Sequence, residues 1–246
     1  MTAGRLLLVT TLLVVVWQAA ALLVNNSVLP GPGSAGAALV HALPRGLAQH
    51  FLVSGYRLVV SMVLATVLAT PLGLATGQSA RLNGLVSPLI YLVYPVPKIV
   101  FLPIIMLFLG TGDASKVFII TLILFFQILV VVRDACLGVR PELVQSVRSL
   151  GAKRVELLRY VYLPACLPAV LTALRVSTGT AIAVLFLAET FATQSGLAYY
   201  ITVEAWGRMA YPEMYAGVIA MALLGLLTYI FLDRLERRLC EWMVVR

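Results

Sequence analysis

Long apolar runs, separated by short polar stretches, make up most of this 246-residue chain. An α-helix rises about 1.5 Å per residue, so about 20 apolar residues cross the hydrocarbon core of a bilayer. Six runs approach that length, and we predict that each forms a transmembrane helix. The predicted spans cover residues 6–24, 58–77, 85–109, 117–132, 165–188 and 214–232. The pattern therefore predicts an all-α, polytopic membrane protein in which residues 1–246 form one transmembrane domain.

The first run also fits the pattern of a secretory signal peptide. Arg5 would be its positively charged start, and Ala19-Ala20-Ala21 would be its cleavage site. The apolar run continues past these alanines to Val24, however, and further spans follow it. We therefore favour a retained first transmembrane helix.

The third run is interrupted by prolines and carries a lysine near its middle. A lysine at the centre of a membrane helix costs about 2.5–3.5 kcal/mol, whereas each Leu, Ile, Phe or Val contributes only about 0.3–0.6 kcal/mol. One interpretation is a broken helix in which protein groups satisfy Lys98 or its side chain extends to the interface. The other is that Pro95-Val96-Pro97-Lys98 lines a translocation path. The pattern leaves both open.

Three further polar residues lie inside or at the end of predicted spans. Gln127 is in the fourth span, and Arg175 is in the fifth, where its aliphatic stem could reach back toward the headgroups. Glu189 ends the fifth span, either as an ordinary interface residue or as a lining group of the path, and we favour the former. The candidate residues of a translocation path are Lys98, Gln127, Arg175 and Glu189.

The longest polar and basic stretch is residues 141–168, between the fourth and fifth spans. Apolar residues recur at steps of three and four on both sides of Gly151, which is the spacing of one helical face. A glycine favours a helix end or a sharp corner at this position. Leu163-Pro164 closes the second piece, because proline disfavours a helical conformation in the residue before it. The stretch predicts a helix, a glycine corner and a second helix, which together form a docking surface.

This stretch resembles the cytoplasmic loop of the permease subunits of bacterial ABC importers. That loop has the pattern E-A-A, three residues, G, nine residues, I, one residue, L-P. Gln145-Ser146-Val147, Gly151, Val161 and Leu163-Pro164 fall on this spacing without a gap, although Gln145 replaces the usual acid. The resemblance implies that a coupling loop at residues 140–164 binds an ATPase subunit. The implied coupling residues are Gln145, Ser146, Val147, Arg148, Leu150, Gly151, Ala152, Lys153, Arg154, Leu163 and Pro164.

Other segments between about residues 28 and 240 are similar to the nitrate/sulfonate/taurine branch of these permeases. They are residues 30–51, Pro95-Val96-Pro97-Lys98, residues 107–112, and Ser195-Gly196-Leu197 with Tyr200-Ile201. The resemblance implies a type I ABC importer permease fold in a complex of two permeases, two ATPases and an extracytoplasmic binding protein. The ATPases would bind ATP and Mg, so this chain would need no cofactor of its own. A permease homodimer that carries a small, anionic solute, such as nitrate, a sulfonate or taurine, is also implied.

The distribution of charge predicts the orientation of the chain. Only 11% of the residues are charged, against about 25% in soluble domains, and the net charge is +8. With the docking loop in the cytosol, most basic residues outside the spans lie on inner segments, from Arg5 to Arg246. By the positive-inside rule, both termini are then cytoplasmic, in a bacterial inner membrane. Nucleic-acid binding is excluded, because the basic residues form no continuous patch on a soluble fold.

Two segments are predicted to lie on the outer side of the membrane. Residues 25–50 begin with Gly, Pro and Asn and lead into a mildly amphipathic piece at about residues 37–51, which predicts a loop and a short surface helix. Residues 191–212 predict a loop with aromatic rings suited to the headgroup level. These rings belong to Tyr199, Tyr200, Trp206 and Tyr211.

The sequence contains no pattern of a catalytic or metal site. Residues 110–116 do not match the G-x-x-x-x-G-K-[ST] pattern of a phosphate-binding loop and predict a turn. His41 and His50 have no Cys, Asp or Glu at ligand spacing, so we interpret both as surface residues. The cysteines lack metal or disulfide spacing. We therefore predict that the chain is not an enzyme and that a partner subunit hydrolyses ATP.

Two other classes of function are considered beside the importer permease. An ion-coupled carrier would normally show internal repeats and paired ionisable residues near the mid-membrane. In this chain, Lys98 is the main ionisable residue predicted near the middle of a span. A membrane scaffold without transport activity would use the same loop only to recruit a soluble partner. The importer permease is the favoured interpretation.

Overall fold

Helices and helical turns form almost the whole structure, a computed structural model that describes residues 3–243. No β-strand occurs within this range. The all-α class predicted from the sequence is confirmed. The basic residue Arg246, which contributes to the predicted charge bias, lies outside the described residues.

The α-helices follow one another along the chain with short connections. They are α1 (Ala3–Val24), α2 (Pro32–Ala42), α3 (Leu47–Gln78), α4 (Ala80–Val93), α5 (Leu102–Leu109), α6 (Asp113–Leu137), α7 (Pro141–Ser149), α8 (Arg154–Leu157), α9 (Leu163–Thr190), α10 (Leu197–Tyr199) and α11 (Tyr211–Leu239). Two π-helical segments, Leu158–Tyr162 and Tyr200–Ala205, extend α8 and α10.

Local sequence explains several helix ends. Pro32 and Pro141 each begin a helix, at the position where the missing N–H of proline breaks no helical hydrogen bond. Ser79 caps α4, because its hydroxyl accepts the N–H of Leu82 at 3.4 Å. Gly151 follows α7 with a φ of +88°, in the left-handed region that only glycine adopts at little cost.

Five of the described helices are long and apolar enough to cross a membrane. They lie within Leu7–Val24, Leu47–Gln78, Asp113–Leu137, Arg154–Thr190 and Tyr211–Leu239. Ala80–Val93 and Lys98–Leu109 satisfy the same criteria only together, and they are bent by 80° at the break between them. Counting this bent pair as one span gives six, in agreement with the predicted polytopic fold.

The chain divides into two compact units. The first comprises the described residues up to Gly55 together with Glu189–Leu224, and the second comprises Tyr56–Ala188 and the described residues from Gly225 onward. In the first unit, the indole Nε1 of Trp17 donates to the carbonyl of Pro30 at 3.1 Å. The Trp17 ring also stacks on that of Tyr215 with a centroid distance of 5.8 Å. Trp17 therefore connects α1 to the residues just before α2 and to α11.

In the second unit, α3 and α6 approach closely at two glycines one helical turn apart. A Cβ atom added to Gly77 would lie 2.8 Å from Sγ of Cys136 and closer still to its Cβ. A Cβ atom added to Gly73 would lie 2.8 Å from Cβ of Val132. Glycines at a spacing of four let membrane helices approach until their backbones touch. We call this contact the glycine notch.

An ion pair between a buried arginine and a half-exposed aspartate also joins α3 to α6. Arg57 is only 2% exposed, and its Nε and Nη2 donate to the same oxygen of Asp113 at 2.8 and 2.6 Å. Asp113 begins α6, so its carboxylate also lies at the positive end of the helix dipole. Ser61 of α3 contacts the Val117 carbonyl of α6 at 3.3 Å. Polar side chains thus reinforce the pairing of the two helices.

The predicted turn at residues 110–116 is shorter in the structure. Helix α6 already begins at Asp113, and Lys116 lies within its first turns, fully buried. The ammonium of Lys116 donates to the carbonyls of Thr111 and Gly112, the latter at 3.1 Å. These two carbonyls precede the helix, so the buried lysine connects the turn at residues 111–112 to the first turns of α6.

The predicted surface helix at residues 37–51 is wrong. Helix α2 ends at Ala42, a 3₁₀ turn follows at Leu43–Arg45, and Gly46 has a φ of +119°. The glycine therefore breaks the helix within the predicted piece. His50 consequently belongs to the long helix α3 and not to a surface helix.

The predicted loop at residues 191–212 is largely helical. Gly196, with a φ of +115°, precedes α10, and the chain continues through the π-helical Tyr200–Ala205 to a 3₁₀ turn at Trp206–Arg208. Tyr200 is buried at 4% exposure, so its ring packs inside the protein. We call residues 197–208 the capped segment, because its start is capped by side chains.

Leu163-Pro164 does not end the helix, contrary to the prediction. The N–H of Leu163 donates to the carbonyl of Leu158, five residues earlier, in a π-helical turn. This wider turn leads directly into α9, where Pro164 occupies the first turn and needs no N–H partner. Arg154–Thr190 therefore forms one helix of 37 residues.

We predict that Gly77→Ala destabilises the protein by about 1–3 kcal/mol, because the added methyl group overlaps Cys136 in a packed interface. The thermal unfolding midpoint in detergent should fall. Gly84→Ala is the matched control, since Gly84 lies within α4 and a Cβ there meets nothing within 4 Å. An equal midpoint for the two variants would contradict the glycine notch.

Candidate functional site

The residues of the predicted coupling loop form a helical hairpin in the second unit. Helix α7 carries Glu142 in its first turn and Arg148 in its last, so each charge opposes the nearer end of the helix dipole. The N–H of Gly151 donates to the Arg148 carbonyl at 3.0 Å, which closes α7. Glu156 then accepts the N–H of Lys153 at 3.0 Å and starts α8. The glycine corner between two helices is where the sequence predicts it.

Apolar side chains are exposed on both sides of this corner. Leu150 is 84% exposed and Val155 is 71% exposed, although they lie in the most polar stretch of the chain. Lys153 and Arg154 between them are exposed as well. Exposed apolar side chains rimmed by charge mark protein interaction surfaces. The tip of the hairpin is therefore a candidate binding surface.

The base of the hairpin is packed against the rest of the second unit. Leu157 and Val161 are 4% and 7% exposed. The hairpin also borders a cavity of about 750 Å³, lined mostly by apolar side chains of α3 and α9. Through the π-helical turn, α8 continues into the long apolar helix α9 without a break.

The break after α4 places Lys98 inside the protein, at 8% exposure. Its ammonium donates to the carbonyls of Val93 and Tyr94 at 3.0 and 3.1 Å and lies 4.8 Å from the Phe126 ring centroid. Lys98 thereby adds hydrogen bonds to carbonyls at the end of α4, where the helix itself supplies few donors. Within residues 3–243, no carboxylate lies within salt-bridge distance of its ammonium. The lysine is hydrogen-bonded, but its charge is not neutralised.

Lys98 and Gln127 line the same cavity, whose volume is about 370 Å³. Thr180 from α9 and the ring of Phe126 contribute to its wall. The Oε1 atom of Gln127 is buried and has no hydrogen-bond partner among the described residues. The cavity thus combines a positive charge with an amide group whose acceptor is unused, which are recognition groups for a small polar solute.

Arg175 does not line this cavity. Its Nη1 lies 2.8 Å from Asp233 and 3.1 Å from Glu236, both on α11. Thr172 donates to the other oxygen of Glu236 at 2.9 Å. The expected extension of Arg175 toward the headgroups is therefore replaced by an ion-pair clamp between α9 and α11.

Glu189 lies in the first unit and is buried at 1% exposure, so the favoured interpretation as an ordinary interface residue is wrong. Its carboxylate accepts the hydroxyl of Ser54 at 2.8 and 2.9 Å and the N–H of Ala198 at 3.1 Å. Burial of a carboxylate is tolerated where hydrogen bonds replace its water. A side chain on Gly196 would overlap this carboxyl group.

Two functional candidates next to Glu189 were missed at the sequence level. His50 was interpreted as a surface residue, but its side chain is 12% exposed and its Nδ1 accepts the N–H of Gly196 at 3.0 Å. Ser54, one turn further along α3, accepts the N–H of Leu197 at 2.7 Å. The spacing of four between the two residues places them on one helix face. This spacing is the sequence feature that could have indicated a shared role.

A family model described as "Binding-protein-dependent transport system inner membrane component" matches residues 69–240 of the chain. The match includes the bent pair, the Lys98 cavity, the coupling hairpin and the Arg175 clamp. It covers more than half of the chain. Membership of this family is therefore shown.

Two similar proteins are described as transport permeases. The chain is 32% identical over 194 residues to the taurine transport system permease protein TauC of Escherichia coli, covering 79% of this chain and 70% of that protein. It is 30% identical over 221 residues to the putative aliphatic sulfonates transport permease protein SsuC of Bacillus subtilis, covering 89% and 80%.

A solved structure shares the fold. It is an inward-facing conformation of the MetNI methionine ABC transporter, with a TM-score of 0.66 and 21% identity, covering 80% of this chain and 97% of that one. The ion-coupled carrier and the scaffold are not favoured by these similarities. The chain belongs to the binding-protein-dependent transport system inner membrane components, and it is an ABC importer permease of the nitrate/sulfonate/taurine branch.

Proposed function

We propose that the hairpin at residues 140–164 couples this permease to a separate ATPase, and that the permease forms the path of a small anionic solute. The single observation that supports the coupling role is the exposed apolar pair Leu150 and Val155 at a glycine corner rimmed by basic residues. ATP and Mg bind to the ATPase and not to this chain. The residues that contact the ATPase are those predicted from the sequence, residues 145–148 and 150–154, with Leu163 and Pro164 at the base.

Movement of the ATPase is passed on through a continuous helix. The hairpin leads without a proline turn into α9, and the Arg175 clamp connects α9 to α11. A push on the hairpin therefore moves packed helices together, as in rigid-body transitions of other transport proteins.

The Lys98 cavity supports the anionic substrate. A buried ammonium without a carboxylate partner attracts an anion, because the charge is only weakly screened by a low-dielectric surrounding. Gln127 lines the same path. Arg175 and Glu189 serve it indirectly, since both are held in protein contacts.

The proposed assembly contains more than this chain. An extracytoplasmic binding protein delivers the solute, and two copies of the permease form a homodimer, because one chain provides only half of a path. Both termini face the cytoplasm of a bacterial cell, and the apolar helices contact the lipid of the inner membrane.

The substrate class is tested with the binding protein that accompanies this permease. It should bind a sulfonate, taurine or nitrate in a ligand screen, and the reconstituted complex should take up the same compound only with ATP. Exclusive binding of a cation would contradict the anionic substrate. Uptake with an ATPase that cannot hydrolyse ATP would contradict the proposed energy source.

We predict that Gly151→Pro inserts normally but lowers uptake per ATP hydrolysed severalfold. Proline fixes φ near −65°, whereas Gly151 has a φ of +88°, and forcing such a conformation costs about 1–3 kcal/mol. The hairpin must therefore change shape. Uptake and ATP hydrolysis are measured together in proteoliposomes. Gly151→Asn is the matched variant, because asparagine adopts positive φ more readily than most residues, and it should retain more coupling. Normal coupling in Gly151→Pro would exclude the corner from force transmission.

We predict that Lys98→Met lowers the uptake of an alkanesulfonate about ten-fold or more, because it removes the charge that attracts the anion. Lys116→Met is the matched control. Lys116 is also buried and also donates to carbonyls, but it lies outside the Lys98 cavity. Both variants lose stability, which is measured by thermal unfolding, and only Lys98→Met should lose uptake after correction for folded protein. Equal losses of uptake would assign Lys98 a structural role alone.

A further inference from the structure

The N–H of Gly196 and the N–H groups of the first two residues of the capped segment each donate to a different side chain. Gly196 donates to Nδ1 of His50, Leu197 to Oγ of Ser54, and Ala198 to Oε2 of Glu189, at 3.0, 2.7 and 3.1 Å. The Ser54 hydroxyl in turn donates to Glu189. Helix starts leave such N–H groups without intrahelical partners. Here the cap is supplied by α3 and by the end of α9, and all of these residues belong to the first unit.

The cap defines which ring nitrogen of His50 accepts a hydrogen bond. A nitrogen that accepts a hydrogen bond carries no proton, so Nδ1 is bare and the neutral imidazole carries its proton on Nε2. Nε2 lies 3.3 Å from Oε1 of Glu204, which is part of the capped segment. One imidazole therefore contacts the segment twice, as an acceptor at its start and as a donor to a carboxylate eight residues further on.

Charged and titratable groups surround His50 from every packed element. Burial, together with the carboxylates of Glu213 and Glu204, raises the pKa of Tyr200, so this neighbouring phenol stays neutral. A cavity of about 630 Å³ is lined in part by Glu204. The groups around the histidine and this cavity are Glu189, Tyr199, Tyr200, Glu204, Arg208, Glu213, Arg45 and His41.

Protonation of His50 would weaken its contact with Gly196 but not its contact with Glu204. A proton on Nδ1 turns this nitrogen into a donor that faces the N–H of Gly196, so the hydrogen bond between them is lost. The contact between Nε2 and Glu204 would become an ion pair. The gain at Glu204 therefore draws the charged ring away from the start of the segment.

We propose that His50 is a pH-responsive positioning residue for transport: the neutral imidazole holds the start of the capped segment, and protonation releases it. Histidine is the side chain that changes charge between about pH 5 and 8. The inference rests on the transport function for its uptake readout, but the release itself can be measured without transport.

The test is ATP-driven uptake by the complete complex in proteoliposomes, with the inner pH held constant. Loss of a hydrogen bond to a buried donor changes an equilibrium about five-fold or more. Uptake should therefore fall at least about five-fold between external pH of about 7.5 and 5.5. His50→Gln should flatten this profile and keep uptake, because the amide oxygen accepts the Gly196 N–H at every pH.

His41→Gln is the matched control, because His41 is the other histidine of the chain and is exposed. It should keep the wild-type profile. A fall in uptake that persists in His50→Gln would overturn the proposal and would assign the effect to Glu189 or Glu204. A wild-type profile without an acid fall would overturn it as well.

Hydrogen exchange of residues 196–198 provides a second measurement on the wild-type permease in detergent. After correction for the intrinsic effect of pH, protection of these amides should fall about five-fold or more on acidification. His50→Gln should keep its protection. Unchanged wild-type protection would overturn the proposal even if no uptake can be reconstituted, so its failure is distinguishable from failure of the transport function.

Discussion

A polar group among apolar helices must find a partner inside the protein, and this constraint shapes the structure more than any other. The Arg57–Asp113 pair, the Arg175 clamp and the capped segment are separate solutions to the same problem. In each case the partner comes from another helix, so every satisfied group also fixes how two elements pack. An unpaired polar group costs several kcal/mol in apolar surroundings. Helix arrangements that leave these groups unpaired are therefore disfavoured.

The same constraint distinguishes positions that hold the fold from positions available to a solute. Arg175 and Glu189 use their charges within the protein, whereas Lys98 keeps an unneutralised charge and Gln127 keeps a buried acceptor without a partner. The charge of Lys98 and the acceptor of Gln127 both line one cavity. A chain that carries a polar solute needs such a place, because the solute must exchange its water for protein groups on the way.

Sequence reasoning found the features that depend on neighbours along the chain. The six apolar runs, the proline break around Lys98 and the corner at Gly151 follow from local composition. The cap could not be predicted from the sequence, because it joins His50 and Ser54 to residues about 140 positions later. The spacing of apolar residues along the chain does not indicate contacts between such distant residues. The predicted helix end at Leu163-Pro164 was wrong for another reason. A π-helical turn accommodates the proline, and such wide turns have no simple sequence pattern.

The glycine notch has a mechanical consequence. Because the backbones of α3 and α6 interlock at Gly73 and Gly77, the two helices cannot slide past each other by small amounts without a clash. Cys136, which fills the notch, lies only a few residues before the coupling hairpin begins. The hairpin therefore follows a helix whose backbone is in close contact with that of α3, and this contact limits how far either helix can shift without the other.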